Sequence, residues 1–154
     1  MDISKKKPAF PITQGLRKYL KKYKREDSIA LTYDDMKRWT DSTPVYDAAG
    51  RNTLWESVIY DGAVQEEILF GLRQIYAQLK TDGDTEIISH LKVGQIDYCL
   101  FGNSNPFRVK IVNQINDNHD YFYIKTADSS RVYGLELEHI LSPNRIEYMV
   151  DGNT

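Results

Sequence analysis

One cysteine, Cys99, stands in 154 residues. It can form no internal disulfide and cannot alone hold a structural zinc, so a reducing, cytoplasmic location is expected. No apolar run approaches the roughly 20 residues needed to span a bilayer. A secretory leader is not expected either, because Lys5-Lys6-Lys7 runs straight into Pro8. Internal repeats and low-complexity tracts are absent. So are a Walker phosphate loop and a Gly-x-Ser-x-Gly elbow, which leaves no motif for nucleophilic catalysis. His90, His119 and His139 are scattered, with no pair at metal spacing. His139 with Glu136 and Glu138 would make at most a weak cation cluster. No metal ligand and no catalytic residue is assigned.

What is present suits one domain, or one domain with an arm, able to bury a core. The net charge of −2 hides an asymmetry. Residues 1–25 carry nine Lys or Arg and one acid, Asp2, whereas the remainder carries eleven bases against twenty-one acids. A basic arm on an acidic body can bind nucleic acid, a protein partner or an anionic surface, or dock on the body itself.

Along the chain, Pro8 and Pro11 predict an irregular start. Thr13 is placed to cap a helix running to about Arg25, with Ile12, Leu16, Tyr19, Leu20 and Tyr23 on one stripe. Lys18, Lys21, Lys22 and Lys24 lie elsewhere around it, so this basic helix could meet a membrane surface or a partner, or pack on its own domain. Thr32 starts a short helix, Tyr33 to Trp39, with Asp34 and Asp35 in its first turn. Residues 40–53, rich in Asp, Ser, Thr, Pro and Gly, read as a loop. Trp55, Val58, Ile59 and Tyr60 then need burial. The longest helix is expected from Ala63 to about Lys80, with Val64, Ile68, Leu72, Ile75 and Leu79 as its core stripe. Gly71 inside it marks close packing. Glu86 to Val93 suits a short strand or a helical turn equally.

The remaining stretch reads as strand, turn, strand, turn, strand, helix, strand. The strands are expected at Ile96 to Phe101, Phe107 to Val112 and Tyr121 to Lys125. A helix follows from about Arg131 to Leu141, stopped by Pro143, and a last strand runs from Arg145 to Val150. Asn116-Asp117-Asn118-His119-Asp120 is oxygen-rich, but it lacks the spaced ligands of a calcium loop and reads as a hairpin turn. The fold class is therefore α+β: a small, mostly antiparallel sheet crossed by one helix, with a helical N-terminal region. The expected division is 1–90, a helical extension with its basic arm, and 91–154, sheet plus helix.

Period-two alternation puts Lys125 opposite Phe122 and Ile124, near its strand's end. Glu136 is expected to share a helix face with Val132 and Ile140. A glutamate on an apolar face needs a partner, and Lys125 is a candidate. Two strands joined by a glycine-containing turn, a third ending in lysine, and a helix offering glutamate together resemble the amino-terminal lobe of a protein-kinase-like fold. The stretch from Asn105 to Thr154 is also similar to bacterial proteins of kinase-like fold. The resemblance covers about the last 60 residues. It implies that Lys125 contacts the phosphates of ATP, with Mg as companion ion, and that Glu136, or failing that Glu138, orients Lys125. It implies that the Gly102-Asn103-Ser104-Asn105 turn covers the phosphates. The pattern departs from that family in having one glycine in the turn and a helix that follows Lys125 closely. It also lacks the His-Arg-Asp and Asp-Phe-Gly motifs of the second lobe. The chain stops soon after an expected strand, which reads as a break within a larger protein. The resemblance thus implies a fragment that is not catalytic on its own, facing ATP as its partner.

Two other readings compete. One is a protein-interaction or scaffold domain without ligand chemistry. The other is a stacking platform for single-stranded nucleic acid formed by Tyr98, Phe107, Tyr121, Phe122 and Tyr123 beside Arg108 and Lys110. The acidic body and the missing RNA-binding sheet signature weigh against the platform.

Overall fold

The computed structural model describes residues 9–81, 84, 86–101, 104–142 and 146–154. The fold is α+β, with four helices and a five-stranded antiparallel sheet among the described residues. The chain divides into two compact units, 29–125 and 1–28 with 126–154.

The 29–125 unit holds the whole sheet. Its elements are helix α2 (Tyr33–Met36), strands β1 (Asp41–Tyr46) and β2 (Asn52–Ile59), helix α3 (Gly62–Thr81), a 3-10 turn (Glu86–His90), and strands β3 (Leu91–Cys99), β4 (Phe107–Asn113) and β5 (His119–Ile124). Spatial order follows chain order, β1 to β5, every pair antiparallel. Residues 1–90, expected to be helical, therefore also contribute a β-hairpin. The expected loop at 40–53 is that hairpin. Its turn is closed by Asp47, whose side chain accepts from the Ala49 and Arg51 amides at 2.9 Å each, with Gly50 at φ +78°. Pro44 fits because β1 is an edge strand and pairs with β2 alone.

Period-two register sorts the sheet into two faces. The inner face carries Ile96, Tyr98, Phe107, Val109, Ile111, Phe122 and Ile124. Helix α3 covers it with Ile68, Leu72 and Ile75. Burying each of these large side chains stabilises the unit by about 1.5–3 kcal/mol. Tyr98, Phe107 and Phe122 are thus core residues and not part of a stacking platform; Phe107 is fully buried. Gly71 is where α3 meets Leu31: a Cβ there would stand 2.6 Å from Leu31 Cγ.

The unit of 1–28 and 126–154 joins both ends of the chain. It contains α1 (Gln14–Lys22) and α4 (Ser129–Leu141). Ile12, Leu16 and Leu20 pack with Val132 and Val150. Thr13 caps α1 by accepting from the Leu16 amide at 3.2 Å. The helix ends at Lys22, not Arg25. Lys24 adopts φ +59°, the Arg25 amide turns back to the Leu20 carbonyl at 2.7 Å, and the Lys24 amide to that of Lys21 at 3.2 Å. This is a Schellman terminator with lysine in the position that favours glycine. The last expected strand does not form among the described residues. Among the described residues its one β-pairing is a parallel bridge, Glu26 with Val150.

Candidate functional site

Two constellations contain the residues singled out by the sequence. The first surrounds Glu136. Helix α4 starts at Asp128, whose side chain accepts from the Arg131 amide at 2.9 Å. It turns Val132, Glu136 and His139 inward. Ile140, expected on the same face as Glu136, is 57 % exposed. The helical advance explains the difference: the inward arc is centred between Glu136 and His139, and Ile140 lies past its edge.

Glu136 is buried and fully engaged. Tyr19 donates to Oε1 at 2.8 Å. Tyr148 donates to Oε2, which also takes Arg25 Nε at 3.3 Å. Burial by itself would raise the Glu136 carboxyl. The hydrogen bonds from Tyr148 and Tyr19, with the nearby charge of Arg25 and the His139 ring, outweigh it and hold the group below its ordinary range. Burial and the bond to Glu136 conversely push the Tyr148 phenol up. A carboxylate held this way is a poor proton acceptor. Its chemistry is to tie α1, α4 and the 146–154 segment together. His139 Nδ1 lies 2.6 Å from the Ile146 carbonyl oxygen, a second tie to the same segment.

The second constellation is the outer face of the sheet. Register places Trp55, Ser57 and Ile59 of β2 there, with Lys92, Gln95, Asp97 and Cys99 of β3, Arg108 and Lys110 of β4, and Tyr121 and Tyr123 of β5. Asp97 is 3 % exposed. Arg108 donates to its Oδ2 through Nε at 3.1 Å and Nη2 at 2.8 Å, and Gln95 donates to Oδ1 at 2.6 Å. With its edge fixed by Asp97, the Arg108 guanidinium lies 4.2 Å from the Trp55 ring centroid and 5.9 Å from that of Tyr121. Such stacking is favourable for a flat, weakly hydrated cation. Tyr121 and Tyr123 are exposed. Lys125 directly follows β5, with Nζ 5.6 Å from the Tyr123 ring centroid. Cys99 is buried, its thiol 3.3 Å from the Phe101 carbonyl oxygen.

Of the expected phosphate cover, Gly102 and Asn103 lie outside the described residues. Ser104 and Asn105 are half-buried. Asn105 has φ +39°, donates its amide to the Cys99 carbonyl at 3.0 Å, and offers its own carbonyl to the Tyr33 hydroxyl at 2.7 Å. Lys125 and Glu136 belong to different units. Glu138 is exposed on α4.

Of the Asn116–Asp120 run, Asn116, Asp117 and Asn118 lie in the β4–β5 turn, and His119 and Asp120 open β5. A cavity of about 150 Å³ opens beside it, lined by Tyr76, Leu91, Ile111, Asn113 and Asp120 among others. Asn113 and Asn116 accept turn amides, and Asp120 accepts from Tyr76 at 3.1 Å. Among the described residues, no three His, Cys, Asp or Glu side chains stand together as a metal site. Nor is any described helix long and apolar enough to cross a membrane. No family model, no curated protein and no solved structure matches this chain.

The Arg108–Trp55–Asp97 cluster was not legible as a site in the sequence. Trp55 and Arg108 are 53 residues apart, and only the β2–β3–β4 pairing brings them together.

Proposed function

We propose that this chain is the nucleotide-facing part of a kinase-like phosphotransferase, without a catalytic step of its own. The observation that supports it is the position of Lys125, at the end of β5 and beside the exposed Tyr123 ring, on a sheet face that also carries Arg108 and Lys110. Cations there suit phosphate oxygens, and the rings suit a base. Lys125 would meet the phosphates of Mg-bound ATP, and the turn ending in Ser104 and Asn105 would border them. The reading does not rest on Glu136, whose carboxylate is taken up within its own unit. The test is titration of the protein with Mg-ATP, comparing wild type with Lys125→Met.

A second reading, an interaction module, is favoured by a separate observation. Helix α4 buries Glu136 and His139 yet exposes Tyr133, Leu137, Ile140 and Leu141, which share one arc at i, i+4, i+7 and i+8. An uncharged arc of this kind marks an interaction surface more often than a solvated face. Sedimentation of wild type and of Leu137→Lys/Leu141→Lys tests it: self-association or partner binding that the double variant abolishes supports the reading.

A further inference from the structure

We propose that the outer face of the 29–125 sheet binds single-stranded nucleic acid, a use that goes beyond the nucleotide reading and does not need Lys125 as a nucleotide ligand. Three observations carry it.

The first is how charge is distributed. Residues 29–125 carry nine Lys or Arg against fourteen Asp or Glu, so the unit is acidic. Yet its outer face gathers Lys92, Arg108 and Lys110, with Lys125 following β5 beside Tyr123. The acids assigned to that face by register are Asp97, buried and bonded to Arg108, and Asp41, on the far edge strand. A strand of phosphates would meet cations along this face and acids elsewhere on the unit.

The second is length. Lys92 pairs with Val112, which pairs with His119, and Lys125 lies six residues along from His119. At the rise of a β-strand this is roughly 20 Å. The phosphates of one mononucleotide gather at one end of such a row. Successive phosphates of a strand can follow all of it.

The third is the set of rings between the cations. Tyr121 and Tyr123 are exposed one pleat apart, and the Arg108 guanidinium stands over the Trp55 ring, 4.2 Å from its centroid. Every base has a face that can stack on such rings, whatever its sequence. The bulge at Gly94 leaves one position in this row without a side chain, beside Val112 and Lys110, where a strand's backbone can come close.

The experiment titrates a fluorescein-labelled 12-mer of thymidylate with the full chain, at low and at physiological salt. Saturable binding that weakens as salt rises is expected. Tyr121→Ala/Tyr123→Ala and Lys92→Glu/Lys110→Glu should each weaken it at least tenfold, with thermal melting unchanged because most of these side chains are exposed. Tyr121→Phe/Tyr123→Phe should restore it. Absence of binding at low salt overturns the proposal. So does binding that survives both double variants and disappears in Lys5→Gln/Lys6→Gln/Lys7→Gln, which would place it on the N-terminal arm. Heparin binding with equal strength, together with no effect of the tyrosine changes, would also overturn it, as a general polyanion surface. Oligonucleotide binding without ATP binding contradicts only the nucleotide reading; ATP binding without oligonucleotide binding contradicts only this one.

Discussion

The Tyr19 hydroxyl donates to Glu136 Oε1 at 2.8 Å across 117 residues of sequence. Tyr148 and Arg25 meet the same carboxylate, on Oε2. One buried acid therefore gathers helix α1, helix α4 and the 146–154 segment. The Schellman turn after Lys22 brings Arg25 to it, so the left-handed Lys24 is part of how the cluster forms.

Glu136→Gln is expected to destabilise the protein by about 1–3 kcal/mol at pH 7, the range for a buried charged acceptor losing its bonds. The pH dependence carries its own signature. The folded carboxyl is held below its ordinary value, so its stabilisation is fully present above an unfolded pKa of about 4.3 and is lost as pH falls through the folded value. Urea unfolding from pH 3 to pH 7 should show the wild-type advantage over Glu136→Gln constant above about pH 6 and shrinking below about pH 5. Tyr148→Phe should raise the Glu136 carboxyl and move that loss to higher pH. A gap between wild type and Glu136→Gln that stays flat throughout would contradict the account.

Lys24→Gly should stabilise the protein by about 1 kcal/mol, because glycine adopts φ +59° without the Cβ penalty that lysine bears. Thermal denaturation measures it. A fall in Tm would mean that the Lys24 side chain contributes more than its backbone strain costs.

Gly71→Ala should act in the opposite direction despite alanine's better helix propensity. The gain of about 1 kcal/mol from propensity is set against a Cβ 2.6 Å from Leu31 Cγ in a buried contact. A net loss of about 1–2 kcal/mol in chemical denaturation is expected. In a Leu31→Ala background, itself less stable than wild type because Leu31 is buried, the added cost of Gly71→Ala should shrink, since the methyl then has room.

Strong periodicity made α1, α3, α4 and strands β4 and β5 legible within a few residues, and the second half of β3, whose start at Leu91 lies five residues before the expected Ile96; Thr13, Thr32 and Gly71 do what their positions imply. The β1–β2 hairpin was hidden because β1 has no buried residue and so shows no apolar alternation. Its Pro44 and Gly50 imitate a loop. At the other end, Ile146, Tyr148 and Val150 alternate as a strand would, but pairing depends on an available edge, which local sequence does not encode. The same limit hid the partners of Glu136. Its burial could be inferred from Val132 four residues before, whereas Tyr19 and Arg25 come from the far end of the chain. The position of Lys125 opposite Phe122 and Ile124 followed from strand period; the Arg108–Trp55 stack needed the register of three strands.

Nucleotide binding is tested most directly by calorimetric titration of the full chain with Mg-ATP, for wild type and Lys125→Met. Saturable binding by wild type is expected, weakened about tenfold or more by Lys125→Met through loss of a charged contact to phosphate. No binding at millimolar ATP, or equal binding by both proteins, would contradict it.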